Sequence, residues 1–308
     1  MVTSAQIASI MKRQFTAFGT FGPSLGEKYV SRYRTWLERG YFADMDWMVT
    51  SAGDRLDIRR RFPWVKSVLV GLDNYYSPPL QSSRRLRFSR YALGIDYHIL
   101  VREKLETALT QIRNIDPKVM GRVSVDTGPI MEKAYAEQAG LGWIGKNGVF
   151  IAANIGSYCF IGTILLSVEL PVTSVAENRC GGCTECLERC PTGAIVAPGM
   201  IDARRCLSYL TVEKRGDFSE NEVQKLSGWV YGCDVCQEVC PWNTKWQQRT
   251  SERRYIEKRE AILDYIELGK KINMDKFKTV FGNSAVERLK YERLKRNVKA
   301  ALKNMPKL

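Results

Sequence analysis

Long apolar runs are missing from this sequence. The N-terminal stretch MVTSAQIASIMKRQF lacks the uninterrupted hydrophobic segment of a secretory signal. The most apolar region, residues 149–168, is broken by Asn154, Gly156, Ser157, Tyr158 and Gly162. It reads as two strands around an Asn-Ile-Gly-Ser turn, which excludes a membrane span and places the chain in the cytoplasm. Internal repeats and low-complexity tracts are absent too, and hydrophobic and charged contents of 44% and 26% are those of an ordinary globular protein. With 308 residues there is room for two or three modules, each with its own core.

Acidic residues are in short supply: 47 Lys and Arg against 33 Asp and Glu leave a net charge of +14. Residues 245–308 hold 18 basic against 8 acidic residues, so +10 of the excess is concentrated there. A solvated Lys-rich helix face is the bland explanation. An excess this concentrated points instead to a polyanion, and to nucleic acid rather than membrane because no strong apolar face accompanies it.

The stretch AGLGWIGKNG, residues 139–148, fits both G-x-G-x-x-G and most of G-x-x-x-x-G-K. Either phosphate loop needs a strand before the glycines and a helix after them. Here residues 130–139 are rich in helix formers and residues 148–153 read as a strand, so the order is reversed. Asn147 also stands where a Ser or Thr would hold magnesium. The loop is not a nucleotide site.

Cysteine carries the strongest signal. Cys180, Cys183, Cys186 and Cys190-Pro191 follow C-x2-C-x2-C-x3-C-P, and Cys233, Cys236 and Cys240-Pro241 repeat it with one thiol missing. Cys206, on a helix expected to start at Asp202, supplies the missing ligand. In two-cluster ferredoxins three close thiolates wrap one cube and the fourth crosses to the other. Cys180, Cys183, Cys186 and Cys240 are therefore expected on one [4Fe–4S] cluster, and Cys190, Cys206, Cys233 and Cys236 on the second. Zinc knuckles favour paired cysteines, and a cytosolic chain of this length needs no disulfide framework. Cys159, inside an apolar strand, is a core residue. Two adjacent clusters make an electron wire, so the long segment before Cys180 holds the redox chemistry.

Four stretches, VDTGP (125–129), AGLGWIGKNG, RCLSYLT (205–211) and VYGCDVCQEVCPWN (230–243), together resemble the epoxyqueuosine reductase family, along essentially the whole chain. The resemblance implies an α+β fold in three parts. Residues 1–170 are a nitroreductase-like cobalamin-binding catalytic domain akin to that of reductive dehalogenases. Residues 171–245 are a ferredoxin-like double [4Fe–4S] domain, and residues 246–308 a basic helical segment that meets tRNA. Members of the family usually continue into a further helical-repeat segment; a chain that stops at Leu308 is expected to be either truncated or a short form, with part of the tRNA surface missing. The implied reaction is reduction of the epoxyqueuosine epoxide to the alkene of queuosine at the tRNA wobble position. Its cofactors are base-off cobalamin and two [4Fe–4S] clusters, with electrons from an external flavodoxin or ferredoxin system and the enzyme acting as a monomer.

The resemblance also assigns roles. Asp126 is the proton donor and should be protonated at neutral pH, although its residues alone suggest a helix cap or an Asx-turn. Arg55, Trp143, Lys146, Asn147 and Ser208, with Asp126, would border the cobalamin. Lys214 and the basic C-terminal residues Arg288, Lys290, Arg293, Lys295 and Arg296 would meet phosphates of the anticodon stem-loop. His98, the single histidine, begins a D-x-H-x-x-G pattern with Asp96 but has Val101 in place of the glycine. Asp96 and His98 are therefore expected as active-site polar groups or a helix N-terminal pair, not cobalt ligands. A corrinoid reductase acting on a small molecule is the main alternative; it leaves the basic C-terminus without a purpose. A plain electron carrier leaves the chain before Cys180 unexplained, and a nucleic-acid binder with purely structural clusters leaves the wire unused.

Overall fold

The computed structural model describes residues 2–78, 86–173, 176–267 and 273–303. Its centre is a four-stranded antiparallel sheet in the spatial order Ala17–Phe21, Ser67–Asn74, Cys159–Leu166, Gly121–Ser124. The two middle strands are buried along almost their whole length, so both faces need cover. Period-two alternation divides them: Leu69, Ile164 and Leu166 join the core under one face, Val68, Val70, Leu72 and Leu165 the core under the other. The first face is covered by the Tyr97–Ile115 helix, which buries Leu100, Val101, Leu105, Ala108, Leu109 and Ile112 at helical spacing. Each fully buried Leu, Val or Ile is worth about 1.5–3 kcal/mol. The second face is covered by the Glu132–Gln138 helix through Tyr135 and Ala136.

Gly71 and Gly162 sit opposite each other in register. A Cβ on Gly71 would lie 2.7 Å from the Phe15 ring, and one on Gly162 2.6 Å from Val101. Both glycines let the helical layer approach the sheet. The apolar region after residue 149 does form two strands, Phe150–Ala152 and Cys159–Leu166, with Asn154 and Gly156 at positive φ between them. The first strand, however, pairs with Gly142–Ile144 in a separate hairpin. The glycine loop is therefore a hairpin tip.

The cysteine-bearing segment is built on two short helices, Glu185–Glu188 and Val235–Glu238, packed against each other. Asp202 caps a 3-10 turn, Ala203–Arg205, and Cys206 is the break before the Leu207–Val212 helix rather than a residue within it. A buried ion pair fastens this segment to the sheet-bearing N-terminal half: Asp234 accepts from the Arg90 N–H (2.8 Å), Arg90 Nη1 (3.1 Å) and the Ser89 hydroxyl.

The basic C-terminal segment is not a free arm. Its Tyr265, Phe281, Leu289, Leu294 and Val298 share one core with Phe88, Leu93, Val230 and Tyr231. Tyr255 lies in the core under the sheet and donates to Asp73, 2.6 Å away, which also receives Lys104 Nζ at 2.5 Å. No helix among the described residues is long and apolar enough to cross a membrane.

Candidate functional site

An open cleft of ≈ 210 Å³ lies where the three parts of the chain meet. Tyr91, Tyr97, His98 and Asp126 come from the sheet-bearing N-terminal half, Val212 and Glu213 from the helix after Cys206, and Arg288 and Arg293 from the basic segment. Asp126 follows the Gly121–Ser124 strand and has φ +55, tolerable for Asp, in a tight turn closed by Thr127 N–H donating to Val125 O (2.6 Å). Its side chain is 62% exposed and caps nothing. Instead Oδ2 accepts from the Tyr97 hydroxyl at 2.8 Å and lies 3.4 Å from His98 Nε2. Oδ1 has no hydrogen-bond partner among the described residues.

Asp96 caps the Tyr97–Ile115 helix by accepting from the His98 N–H (3.0 Å), and its Oδ1 also lies 2.7 Å from His98 Nδ1. Both expectations for this pair thus meet in one arrangement: a helix N-terminal pair that faces the cleft. Burial works to lower the His98 pKa, but the bonds to Asp126 and Asp96 outweigh it and hold the imidazole above its ordinary value. The converse holds for Asp126. Desolvation in the cleft works to raise its pKa, but the hydrogen bonds from His98 and Tyr97 and the charges of His98 and Arg288 hold it below the usual carboxylate range. The expectation of a protonated Asp126 is therefore corrected: its neighbours keep it ionised. The acid that stays protonated near neutrality is Glu132, pushed up to about 8 by burial and by the Asp126 charge. Glu132 Oε1 accepts from the Asp126 N–H at 2.7 Å and so holds the turn.

Arg55 is anchored by Nε to the Ser51 hydroxyl (2.8 Å) and is a charged neighbour of Glu132. Beside Glu132, Lys133 Nζ donates to the Gly148 carbonyl at 2.8 Å. Ser208, half-buried, turns its backbone N–H toward the Cys206 thiol.

All nine cysteines are free thiols. Cys180, Cys183, Cys186 and Cys240 line one small cavity. Burial and the charges of Cys180, Cys240 and Cys183 push Cys186 up to about 11. A second group surrounds Cys236, raised well above its ordinary value by burial and by Cys233, Cys206 and Cys190. Cys190 differs: burial opposes ionisation, but N–H groups including that of Ala194 (3.3 Å from Sγ) and the Thr192 hydroxyl hold its thiol low. Thiols crowded in fours resist ionising together, and cationic iron between them removes that repulsion, so the donor chemistry of both groups suits a cubane.

Other side chains fall elsewhere than expected. Trp143 is 1% exposed, packs on Trp242 and Trp246, and donates its indole N–H to Cys180 Sγ at 3.4 Å. Lys146 Nζ donates to the Gly181 and Cys183 carbonyls (2.7 and 2.9 Å), and Asn147 Nδ2 to the Cys236 carbonyl (3.2 Å). Placed at a hairpin tip, these three press on the cysteine loops. Lys214, Arg293 and Arg296, expected at phosphates, have partners within the chain. Lys214 Nζ pairs with Glu222 at 2.8 Å. Arg293 Nη1 donates to the Val212 and Glu213 carbonyls (3.1 and 3.3 Å), and Arg296 Nη1 to those of Lys214 (3.0 Å) and Gly216. They clasp the 212–216 loop because its carbonyls have no helix to bond. Lys290, Lys295 and Lys299 stay exposed. Tyr97, Glu132 and Glu213 escaped sequence reasoning; only Tyr97, adjacent to Asp96, carried any signal.

Residues 179–243 match the family described as "4Fe-4S double cluster binding domain", and residues 55–127 the one described as "Epoxyqueuosine reductase QueG, DUF1730". The chain is 39% identical over 280 residues to an epoxyqueuosine reductase of Synechocystis sp., covering 90% of this chain and 96% of that one. It is 37% identical to the epoxyqueuosine reductase of Vibrio cholerae over 89% of this chain and 75% of that one. Its fold superposes with a TM-score of 0.86 and 27% identity on a crystal structure of epoxyqueuosine reductase with an epoxyqueuosine-modified tRNA stem loop, covering 97% of this chain and 80% of that one. The Bacillus subtilis epoxyqueuosine reductase gives a TM-score of 0.83 at 26% identity, over 97% and 80% of the two chains. With the double-cluster segment, the mixed α+β core and these relatives in agreement, the chain belongs to the epoxyqueuosine reductase family.

Proposed function

We propose that the cleft around Asp126 reduces the epoxide of epoxyqueuosine in a tRNA anticodon stem-loop, with Asp126 conveying the proton. The observation that carries this reading is the exposed Asp126 carboxylate: Oδ2 is held by Tyr97 and His98 while Oδ1 is left for a substrate. Cobalamin, when bound at this cleft, would supply a strong metal-centred nucleophile for the epoxide carbon and, fed through the clusters, the electrons. The residues that would hold it are Arg55, a charged neighbour of Glu132, Lys133, next to Glu132 in sequence, and Ser208, two residues after Cys206. The net change breaks both epoxide C–O bonds, consumes two electrons and two protons, and yields the alkene and water. Ring opening leaves an alkoxide, and His98 with Asp126 moves a proton to it. Tyr97 fixes the carboxylate, and the rings of Tyr91, Tyr97 and Tyr231 offer a wall for a splayed base; a single-stranded loop presents one without the cost of opening a duplex.

Cys180, Cys183, Cys186 and Cys240 would hold one cluster, and Cys190, Cys206, Cys233 and Cys236 the other, nearer the cleft. An external flavodoxin or ferredoxin would deliver electrons at the first, beside the half-exposed Trp242. The exposed Lys290, Lys295 and Lys299 would meet the phosphates. The test is single-turnover conversion of an epoxyqueuosine stem-loop by Asp126→Asn with its cofactors loaded and reduced. Loss of a positioned acid predicts a drop of about 10²–10⁴-fold with cofactor binding retained. A near-wild-type rate removes Asp126 from the proton path.

A further inference from the structure

Arg288 belongs by sequence to the basic segment, yet it enters the cleft. Its Nε donates to Asp96 Oδ2 at 3.1 Å, and its Nη1 lies 3.3 Å from His98 Nε2. Asp96 thereby fixes both partners at once, His98 through Oδ1 (2.7 Å) and Arg288 through Oδ2. His98 Nε2 is thus approached from two sides, by Asp126 Oδ2 at 3.4 Å and by Arg288 Nη1.

The two approaches demand opposite states of one nitrogen. A guanidinium only donates, so Nε2 can bond Arg288 only after losing its proton. An ionised carboxylate only accepts, so Nε2 can bond Asp126 only while it carries that proton. Nδ1–H stays on Asp96 in both states, so the exchange concerns Nε2 alone. The other groups facing the imidazole are the Tyr97 ring, tilted against it at 4.0 Å, and Glu213, Arg293, Tyr91 and Tyr231 around the cleft.

We propose that Arg288 is a positioning residue for catalysis: it receives the Nε2 lone pair left when His98 gives its proton to Asp126. In this step the proton leaves Nε2 for Asp126 Oδ2. Rotation of the exposed carboxyl then carries it to the alkoxide oxygen, and a proton from bulk solvent reloads the imidazole. No electrons move. Without Arg288 the bare Nε2 lone pair would face only the newly protonated Asp126 carboxyl, which would return the proton to it. The basic segment would then complete the active site as well as gripping RNA.

The proposal rests on Asp126 as the proton carrier, and Arg288→Met separates the two ideas. The single histidine makes ¹⁵N NMR of the cluster-loaded protein a clean readout. Removing the cation should raise the apparent His98 pKa by about one unit and slow single-turnover deoxygenation near neutrality about tenfold. Stem-loop affinity should change by less than about threefold, because a single phosphate contact is not what is lost. Arg288→Lys keeps the charge without the fork and should fall between wild type and Arg288→Met; it also serves if the Met variant folds poorly. An unmoved His98 titration, with the whole defect in stem-loop affinity, would make Arg288 a phosphate contact and overturn the proposal. A shifted titration with an unchanged rate would overturn it as well. Failure of the Asp126 reading shows differently, as full turnover in Asp126→Asn.

Discussion

Asp234 sits between two cysteines of the second group and is fully buried, so its replacement tests how the cysteine loop is held to the catalytic half. Its carboxylate faces Arg90, itself 8% exposed, and accepts from the Arg90 N–H, Arg90 Nη1 and the Ser89 hydroxyl. Breaking a buried pair by removing one partner typically costs about 3–5 kcal/mol, because the survivor is left uncompensated. The two single variants should differ. In Asp234→Ala, Arg90 keeps Glu238 at 2.8 Å and the Ser77 carbonyl at 3.2 Å, which places the loss near the lower end, about 3 kcal/mol. In Arg90→Met, Asp234 keeps no cation, and the loss should approach about 5 kcal/mol. At about 2 °C per kcal/mol for a chain of this size, the melting midpoint should fall by about 6 °C and 10 °C respectively. The assay is an anaerobic thermal melt of the cluster-loaded protein, read with the rate of iron release to a chelator. Because Cys233 and Cys236 flank Asp234, iron should escape faster in both variants. A melt within about 2 °C of wild type and unchanged iron release in Arg90→Met would refute the claim that this pair fastens the loop. The reverse ranking of the two variants would refute the compensating role of Glu238.

Two further outcomes follow from the site. Cys206→Ala should lose about half of the roughly eight irons expected for two [4Fe–4S] clusters, while Cys159→Ala keeps them. Burial pushes the Cys159 thiol up to about 12, which leaves it inert, and equal iron loss in both variants would contradict the ligand sets. His98, with its pKa raised by Asp126 and Asp96, contributes stability that is complete below its unfolded value of about 6.5 and is lost as pH rises through the higher folded value. Melting midpoints measured from roughly pH 5.5 to 9 should decline across that interval in wild type and flatten in His98→Gln; parallel curves would show that the imidazole gains no partner on folding.

What the sequence made legible is what lies close along the chain. Cluster ligands can be read from spacing because loops of two or three residues turn their thiols inward wherever the segment folds, and the cross-over to Cys240 follows from the repeated pattern. The hairpin tip at Gly145 was readable as a loop for the same local reason, but its neighbour was not. Trp143, Lys146 and Asn147 bond a sulfur and backbone carbonyls of the cysteine loops, and carbonyls carry no residue-type signal. The same holds for Arg293 and Arg296: their charge was visible in the sequence and the carbonyls of residues 212–216 that they bond were not. The ionisation of Asp126 is the sharpest case. An acid facing an apolar cofactor would be expected to stay protonated, yet the outcome turns on His98 and Tyr97 from one helix and Arg288 from the far end of the chain. No local pattern links those residues. They meet because the basic segment, which charge alone suggests is an arm for RNA, buries Leu289 and Leu294 in a core shared with Val230 and Tyr231. That core sets Arg288 at the cleft. The proton chemistry of the site therefore depends on apolar packing of a segment whose most visible property is its charge.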